Sequence, residues 1–300
     1  MTPVACGRLG MLLAASVPGL AVAHSGLPTA GTGGSFEHAP VWLAQSLFAL
    51  AWVTYTIGAM RRQPRFGPRL AFHSTMLVAG LTLFGPLDTL AERGAAWHMV
   101  QHMLLIVVVA PMAVLSRPLP QWRAAMGPAV DALWRRLHRL SRHPLRCALL
   151  HAAAIWFWHA PGTYIAAVQY PVWHVLEHAS FLFSGWLFWW SVLRPSRTDV
   201  LEASLALLFT VMHTGLLGAL LTFANAPLYG NGPAALADQQ LAGLVMWIPG
   251  GLVYLLAAVW ATWRWLQTLE TEPSRAGIRP LASAQGTKRA NRQTARACAI

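Results

Sequence analysis

Cysteine is scarce in this chain, with three among 300 residues: Cys6, Cys147 and Cys298. No two of them form a C-x-x-C pair, so neither thioredoxin-like exchange nor a thiolate copper shuttle finds support. Charge is scarce too. Asp, Glu, Lys and Arg make up 11% of the chain, where a soluble domain carries about 25%. Acidic residues are rarest, ten against 22 Lys and Arg. Nearly all the charge is confined to stretches between apolar runs. What is present is apolar: 56% of the residues are hydrophobic.

The apolar residues fall into runs of bilayer length, about 20 residues each. Seven are expected near 41–60, 70–90, 96–116, 145–165, 172–193, 203–223 and 241–263. The fourth is interrupted by His159-Ala-Pro161-Gly162. The expected fold class is therefore all-α, a polytopic seven-helix membrane bundle. An earlier run differs. Arg8, the apolar stretch Leu9 to Leu20 and Ala21-Val22-Ala23 have the n-region, h-region and cleavage tripeptide of a signal peptide. The expected organisation is a signal peptide at 1–23, an outer leader at 24–40, a transmembrane domain at 41–266 and a basic disordered cytoplasmic tail at 267–300.

Arginines fix an expected orientation. They crowd the connections after the first, third and fifth runs and the tail, whereas the intervening connections hold only Arg93. Cytoplasmic loops collect Lys and Arg. This predicts a seven-span membrane protein with its mature N-terminus outside and its C-terminus in the cytoplasm. The net charge of +12 follows from orientation and from anionic lipid on the inner leaflet. No nucleic-acid partner is needed.

Two stretches carry the chemistry. Trp97-His98-Met-Val-Gln101-His102 and Trp173-His174-Val-Leu-Glu177-His178 both read Trp-His-x-x-(Gln/Glu)-His. Residues four apart share a helix face. Each pair spans about 6 Å at ~1.5 Å per residue. Polar groups inside membrane helices are costly and usually functional. The third and fifth runs both start outside, so the two pairs are expected at one depth on adjacent helices, with four imidazoles converging on one metal. Imidazole suits copper, zinc, iron and nickel. Taken singly, a membrane histidine is commonly a helix–helix hydrogen bond, and Trp97 and Trp173 fit an interfacial aromatic belt. The repetition at matched depth favours a metal. Gln101 and Glu177 are candidates to orient the rings, and Glu177 is also a candidate ligand.

Further candidates are less decisive. His213, mid-way along the sixth run, reads equally as a ligand or as packing. His159 lies beside Trp156 and Trp158 and is placed to join the cluster. His73, His138, His143 and His151 read as structural or solvated. His24 and His38 fall in the outer leader, and cleavage after Ala23 would give His24 a terminal amine–imidazole chelate. Asp238 reads either as an N-cap for the seventh run or as part of the metal site. Met99, Met103, Met212 and Met246 are soft donors suited to Cu(I), although apolar filling is the commoner use of Met.

These residues resemble a known family. Trp97-His98-x-x-Gln101-His102 leading to Ala110-Pro111, Trp156-Phe-Trp158-His159-Ala-Pro161, His174-x-x-Glu177-His178, Leu228-Tyr229-Gly230 and Asp238-Gln-Gln-Leu-Ala-Gly243-Leu-Val-Met-Trp247-Ile-Pro249-Gly250 are similar to the CtaG family of caa3-type cytochrome c oxidase assembly factors, over roughly residues 40–265. The resemblance implies a multi-pass, non-enzymatic assembly factor acting at the oxidase's copper step. Its implied cofactor is copper, and its implied partners are oxidase subunits, membrane lipid and a periplasmic copper chaperone. The copper ligands would then be His98, His102, His174 and His178.

Two other classes stay open on the residues alone. His174-x-x-Glu177-His178 matches the H-x-x-E-H metallopeptidase pattern, which needs a third ligand and an open metal position. A haem-binding membrane protein needs one His from each of two helices, and the i,i+4 doubling exceeds that need.

Overall fold

The computed structural model describes residues 38–195 and 200–271. The expected signal peptide, His24 and nearly all of the basic tail lie outside the described residues. Among the described residues every regular element is helical. Proline punctuates the chain: Pro86, Pro128, Pro144, Pro161 and Pro171 each open a helix, where a missing N–H costs nothing and φ is already set.

Thirteen α-helices occur among the described residues. Helix α1 (Ala39–Arg61) is peripheral, and α2 (Phe66–Leu83) leads through Gly85 into the short α3 (Pro86–Ala91). Next come α4 (Ala95–Met103), a π-helical segment (Leu104–Val109) and α5 (Ala110–Leu115), which form one continuous rod. Two surface helices, α6 (Leu119–Met126) and α7 (Pro128–Ser141), occupy the arginine-rich connection expected to be a loop. The interrupted fourth run resolves into α8 (Pro144–His159) and α9 (Pro161–Gln169). The break sits at Ala160, held extended by the proline after it. Then follow α10 (Pro171–Leu193) and α11 (Val200–Thr222). The chain finishes with α12 (Gly232–Val245), a second π-helical segment (Met246–Gly250) and α13 (Gly251–Thr271).

Both π segments lie at prolines. Pro111 and Pro249 supply no N–H to the carbonyl four residues back, and the helix beside each widens by a residue per turn. Gly250 lies in the second widened stretch, where a Cβ would come within 2.8 Å of Met103 Sδ from the rod opposite. Helices α11 and α12 approach by a reciprocal glycine contact. A Cβ on Gly243 would lie 2.6 Å from Gly218 O, and one on Gly218 would lie 3.0 Å from Gly243 O.

Among the described residues five stretches are long and apolar enough to cross a membrane: Ala39–Arg61, Phe66–Ala91, Ala95–Leu115, Val200–Thr222 and Gly232–Gln267. This is fewer than the seven expected. Helix α8 has 16 residues. Helix α10 has 23 residues but carries His174, Glu177, His178 and two buried serines. It is the inner helix of the bundle, packed against α5, α8, α9, α11 and the first π segment. A helix enclosed by protein need not be as apolar as one bathed in lipid. Outward-facing side chains such as Leu43, Phe66, Met212 and Phe223 are large, apolar and exposed, as a hydrocarbon solvent permits.

The two ends of the bundle differ. One carries the His pairs and is called here the histidine end. The other is the arginine end, where Arg61 donates to Ala124 O at 2.9 Å, and Arg194 donates to Val114 O while lying 4.4 Å over the Trp190 ring.

Candidate metal centre

The rod of α4, the first π segment and α5 packs along α10, and the histidines of α4 meet those of α10 in register. The His98 and His174 rings stand 5.5 Å apart, nearly parallel, and one turn deeper His102 and His178 stand 5.4 Å apart. Matching both rungs requires the helices to run in the same direction. Within each helix the i,i+4 spacing brings the rings to 4.3 Å (His98–His102) and 4.2 Å (His174–His178). Three of the imidazoles are buried and His174 is half-buried.

Glu177 occupies the middle. It has no exposed surface, and its Oε2 lies 3.4 Å from His98 Nε2 and 3.5 Å from His102 Nε2. The potential ligand atoms of the two His pairs and Glu177 lie close together. They divide into His98–His174–Glu177 and His102–Glu177–His178, each with all ligand atoms within 4.8 Å of one another. Glu177 belongs to both. The sequence placed it on the right face but gave no sign that it would be shared.

His159 joins from α8. Its Nδ1 donates to Ile155 O at 2.7 Å. That bond fixes the tautomer and leaves Nε2 as the lone-pair nitrogen. The ring faces His102 at 6.3 Å. Tyr229 donates to His159 O at 2.7 Å and stacks on Tyr164, which stands 5.4 Å from the His98 ring. Phe181 closes the deep side, 4.8 Å from His102. The reading of the sequence passed over Tyr164 and Phe181, because a single aromatic in an apolar run carries no signal of its own.

Two candidates do other work. The Gln101 amide nitrogen donates to Thr82 O at 2.8 Å and to Asp88 Oδ1 at 2.9 Å, so it fastens α4 to α2 and α3 rather than to an imidazole. Asp238 does not cap its own helix, because α12 already begins at Gly232. It caps α4 instead. Its Oδ2 accepts from Ala95 N at 2.5 Å and its Oδ1 from Ala96 N at 3.2 Å. These are first-turn amides with no partner inside the helix. Gly94 makes room, since a Cβ there would sit 2.5 Å from Asp238 Oδ2. The next two residues secure the preceding connection: Gln239 Oε1 accepts from Leu228 N at 2.6 Å, and Gln240 donates to Ala224 O at 3.0 Å. Asp238-Gln239-Gln240 thus holds Tyr229 and α4 in place.

His213 belongs to neither group of converging ligands. Its ring packs on Phe209 at 5.0 Å, along α11. His151, expected to be structural or solvated, is fully buried. Its Nδ1 meets Ser184 Oγ at 2.9 Å and its Nε2 meets Tyr254 OH at 3.3 Å. Met99 and Met246 are core residues, whereas Met212 faces outward.

The cluster fits a metal on its own chemistry. Buried His102 Nδ1, His159 Nε2 and His178 Nε2 find no hydrogen-bond partner among the described residues, and neither do the Glu177 oxygens. Buried polar groups are nearly always paired, and a buried carboxylate must be neutralised. A cavity of about 460 Å³ opens beside the cluster, lined by His38, Asp88, Glu92, His98 and His174 among others. It gives the ligands a route to the surface at the histidine end.

Comparison with known proteins agrees with the sequence motifs. The chain belongs to the cytochrome c oxidase caa3 assembly factor family (Caa3_CtaG), whose model matches residues 47–268. No curated protein and no solved structure matches it.

Proposed function

With family membership as the premise, we propose that this assembly factor binds copper through His98, His102, His174 and His178, with Glu177 among them, and supplies it to the forming copper centre of cytochrome c oxidase. The supporting observation is the meeting of two in-register His pairs around a carboxylate without exposed surface. Copper is cargo here. The imidazoles hold it as neutral ligands, His159 stands beside them, and Tyr164, Tyr229 and Phe181 exclude water. The role is non-enzymatic: Glu177 contacts the imidazoles of the neighbouring helix and serves as a ligand rather than as a general base.

The chain crosses the bacterial inner membrane seven times, α8 and α10 completing the set, after an amino-terminal signal peptide. The histidine end faces the periplasm and the arginine end the cytoplasm, as the distribution of Arg requires. The cavity then opens toward a periplasmic copper chaperone, and oxidase subunits dock from the same side.

The test has two arms. Copper is measured in purified wild type beside the variant with all four histidines replaced by alanine, and oxidase activity is followed in cells at limiting copper. Wild type should retain copper, and the variant should be membrane-inserted, copper-free and poor in oxidase copper. A four-alanine variant that sustains full oxidase activity at limiting copper refutes the copper role.

A further inference from the structure

We infer that the cluster holds two metal ions bridged by Glu177, rather than one ion among four histidines. The inference rests on the copper reading above and adds to it a number and a geometry. The ligand atoms divide into two triplets that share a single residue. One is His98, His174 and Glu177; the other, a turn deeper, is His102, His178 and Glu177. Each triplet is two imidazoles and a carboxylate, a set that holds a borderline transition metal and leaves a position open.

The spacing supports the division. Two ligands on one tetrahedral ion, with bonds of about 2.0–2.1 Å, lie roughly 3.4 Å apart. Glu177 Oε2 stands 3.4 Å from His98 Nε2 and 3.5 Å from His102 Nε2. The carboxylate therefore has one-metal ligand spacing to a histidine of each triplet. The in-register rungs are 5.5 and 5.4 Å apart between ring centres, so each has its own cross-helix pair. Both Glu177 oxygens lack hydrogen-bond partners among the described residues, which leaves both free to bind cations. His159 stands outside both triplets, but its ring centre lies 6.3 Å from that of His102, so it neighbours the deeper triplet. The two ions are thus inequivalent. The outer one lies beside the cavity, and the deeper one is walled by Phe181.

Full-length protein in detergent is stripped, titrated with Cu(II) and analysed for bound copper per chain, with electron paramagnetic resonance on the same samples. Wild type should bind two ions. Their resonance at saturation should integrate to clearly less than two isolated spins, because bridged ions couple. The paired variants His98→Ala/His174→Ala and His102→Ala/His178→Ala should each keep one ion and regain an uncoupled one-spin signal. Glu177→Gln should weaken both binding events by tenfold or more. Wild type that saturates at one ion overturns the bridged pair and leaves the copper reading intact, whereas wild type that binds none overturns the copper reading itself. Two ions with full uncoupled intensity, or a Glu177→Gln variant that weakens only one event, overturn the bridge. The wild-type titration needs no variant to fold.

Discussion

Two of the buried polar groups in this bundle, one at the histidine end and one near its middle, differ in how completely they are satisfied. In the middle, His151 has a partner on each ring nitrogen, Ser184 and Tyr254, from two other helices. Phe188 stacks on it at 5.6 Å and Trp189 stacks on Tyr254 at 5.4 Å. That group is closed: every site on the imidazole is used. At the histidine end, several imidazole nitrogens and both Glu177 oxygens find no hydrogen bond among the described residues. A closed polar group stabilises the fold, whereas an open one is costly unless something else completes it. Burial does not separate the two, because both groups are buried; nor do unmet nitrogens alone, since His213 is buried with neither ring nitrogen partnered among the described residues yet lies outside the converging groups, so it is the convergence of open donors that marks the histidine end.

The comparison can be tested by breaking each side. Replacing His98, His102, His174 and His178 by alanine should have the largest effect: loss of copper binding in a protein that still folds and inserts, with a fall in melting temperature from the cavities and from Glu177 left without its imidazoles. Metal analysis and a melting curve on one sample check both halves. His151→Ala should leave copper binding alone. It leaves the Ser184 and Tyr254 hydroxyls without their partner, which costs about 1–3 kcal/mol, so melting should fall while copper stoichiometry holds. Asp238→Ala falls between. Loss of a cap costs ~1 kcal/mol, and because the capped helix carries His98, copper affinity should drop as well, with Asp238→Asn milder in both readouts. Met212→Leu should be smallest, within about 0.5 kcal/mol and without effect on copper, because that side chain is 65% exposed on the lipid-facing surface. A copper loss in Met212→Leu would move the sulfur donors into the site.

Much of this was legible in the sequence, and the parts that were not share a cause. The i,i+4 histidine pairs and their matched depth depend only on local helix geometry and the order of the apolar runs, so they could be read directly. The family motifs could be read the same way. Sharing of Glu177 depends on the distance between α4 and α10, which no local pattern encodes. Asp238 was weighed as a cap for the wrong helix, because the amides it serves lie more than 140 residues away. Helix α12 starts at Gly232 rather than near 241, because Gly232-Pro233 opens a helix before strongly apolar residues begin. The connection between α5 and α8 was read by charge alone, which hid the two helices whose apolar faces lie against the bundle. The five stretches that qualify as spans include none from α8 or α10, since an enclosed helix lacks the uniform apolarity that marks a lipid-facing one.

The cap on α4 also has a consequence in time. Ala95 and Ala96 leave the ribosome long before Asp238, 143 and 142 residues later. Until the last long helix has been made and has folded back, the amides that begin the histidine-bearing helix have no carboxylate to meet. The centre therefore cannot be finished piecemeal during synthesis. A chain truncated before Asp238 would hold all four histidines yet lack the anchor that aims two of them, so the two pairs are set against each other only after α12 has been made.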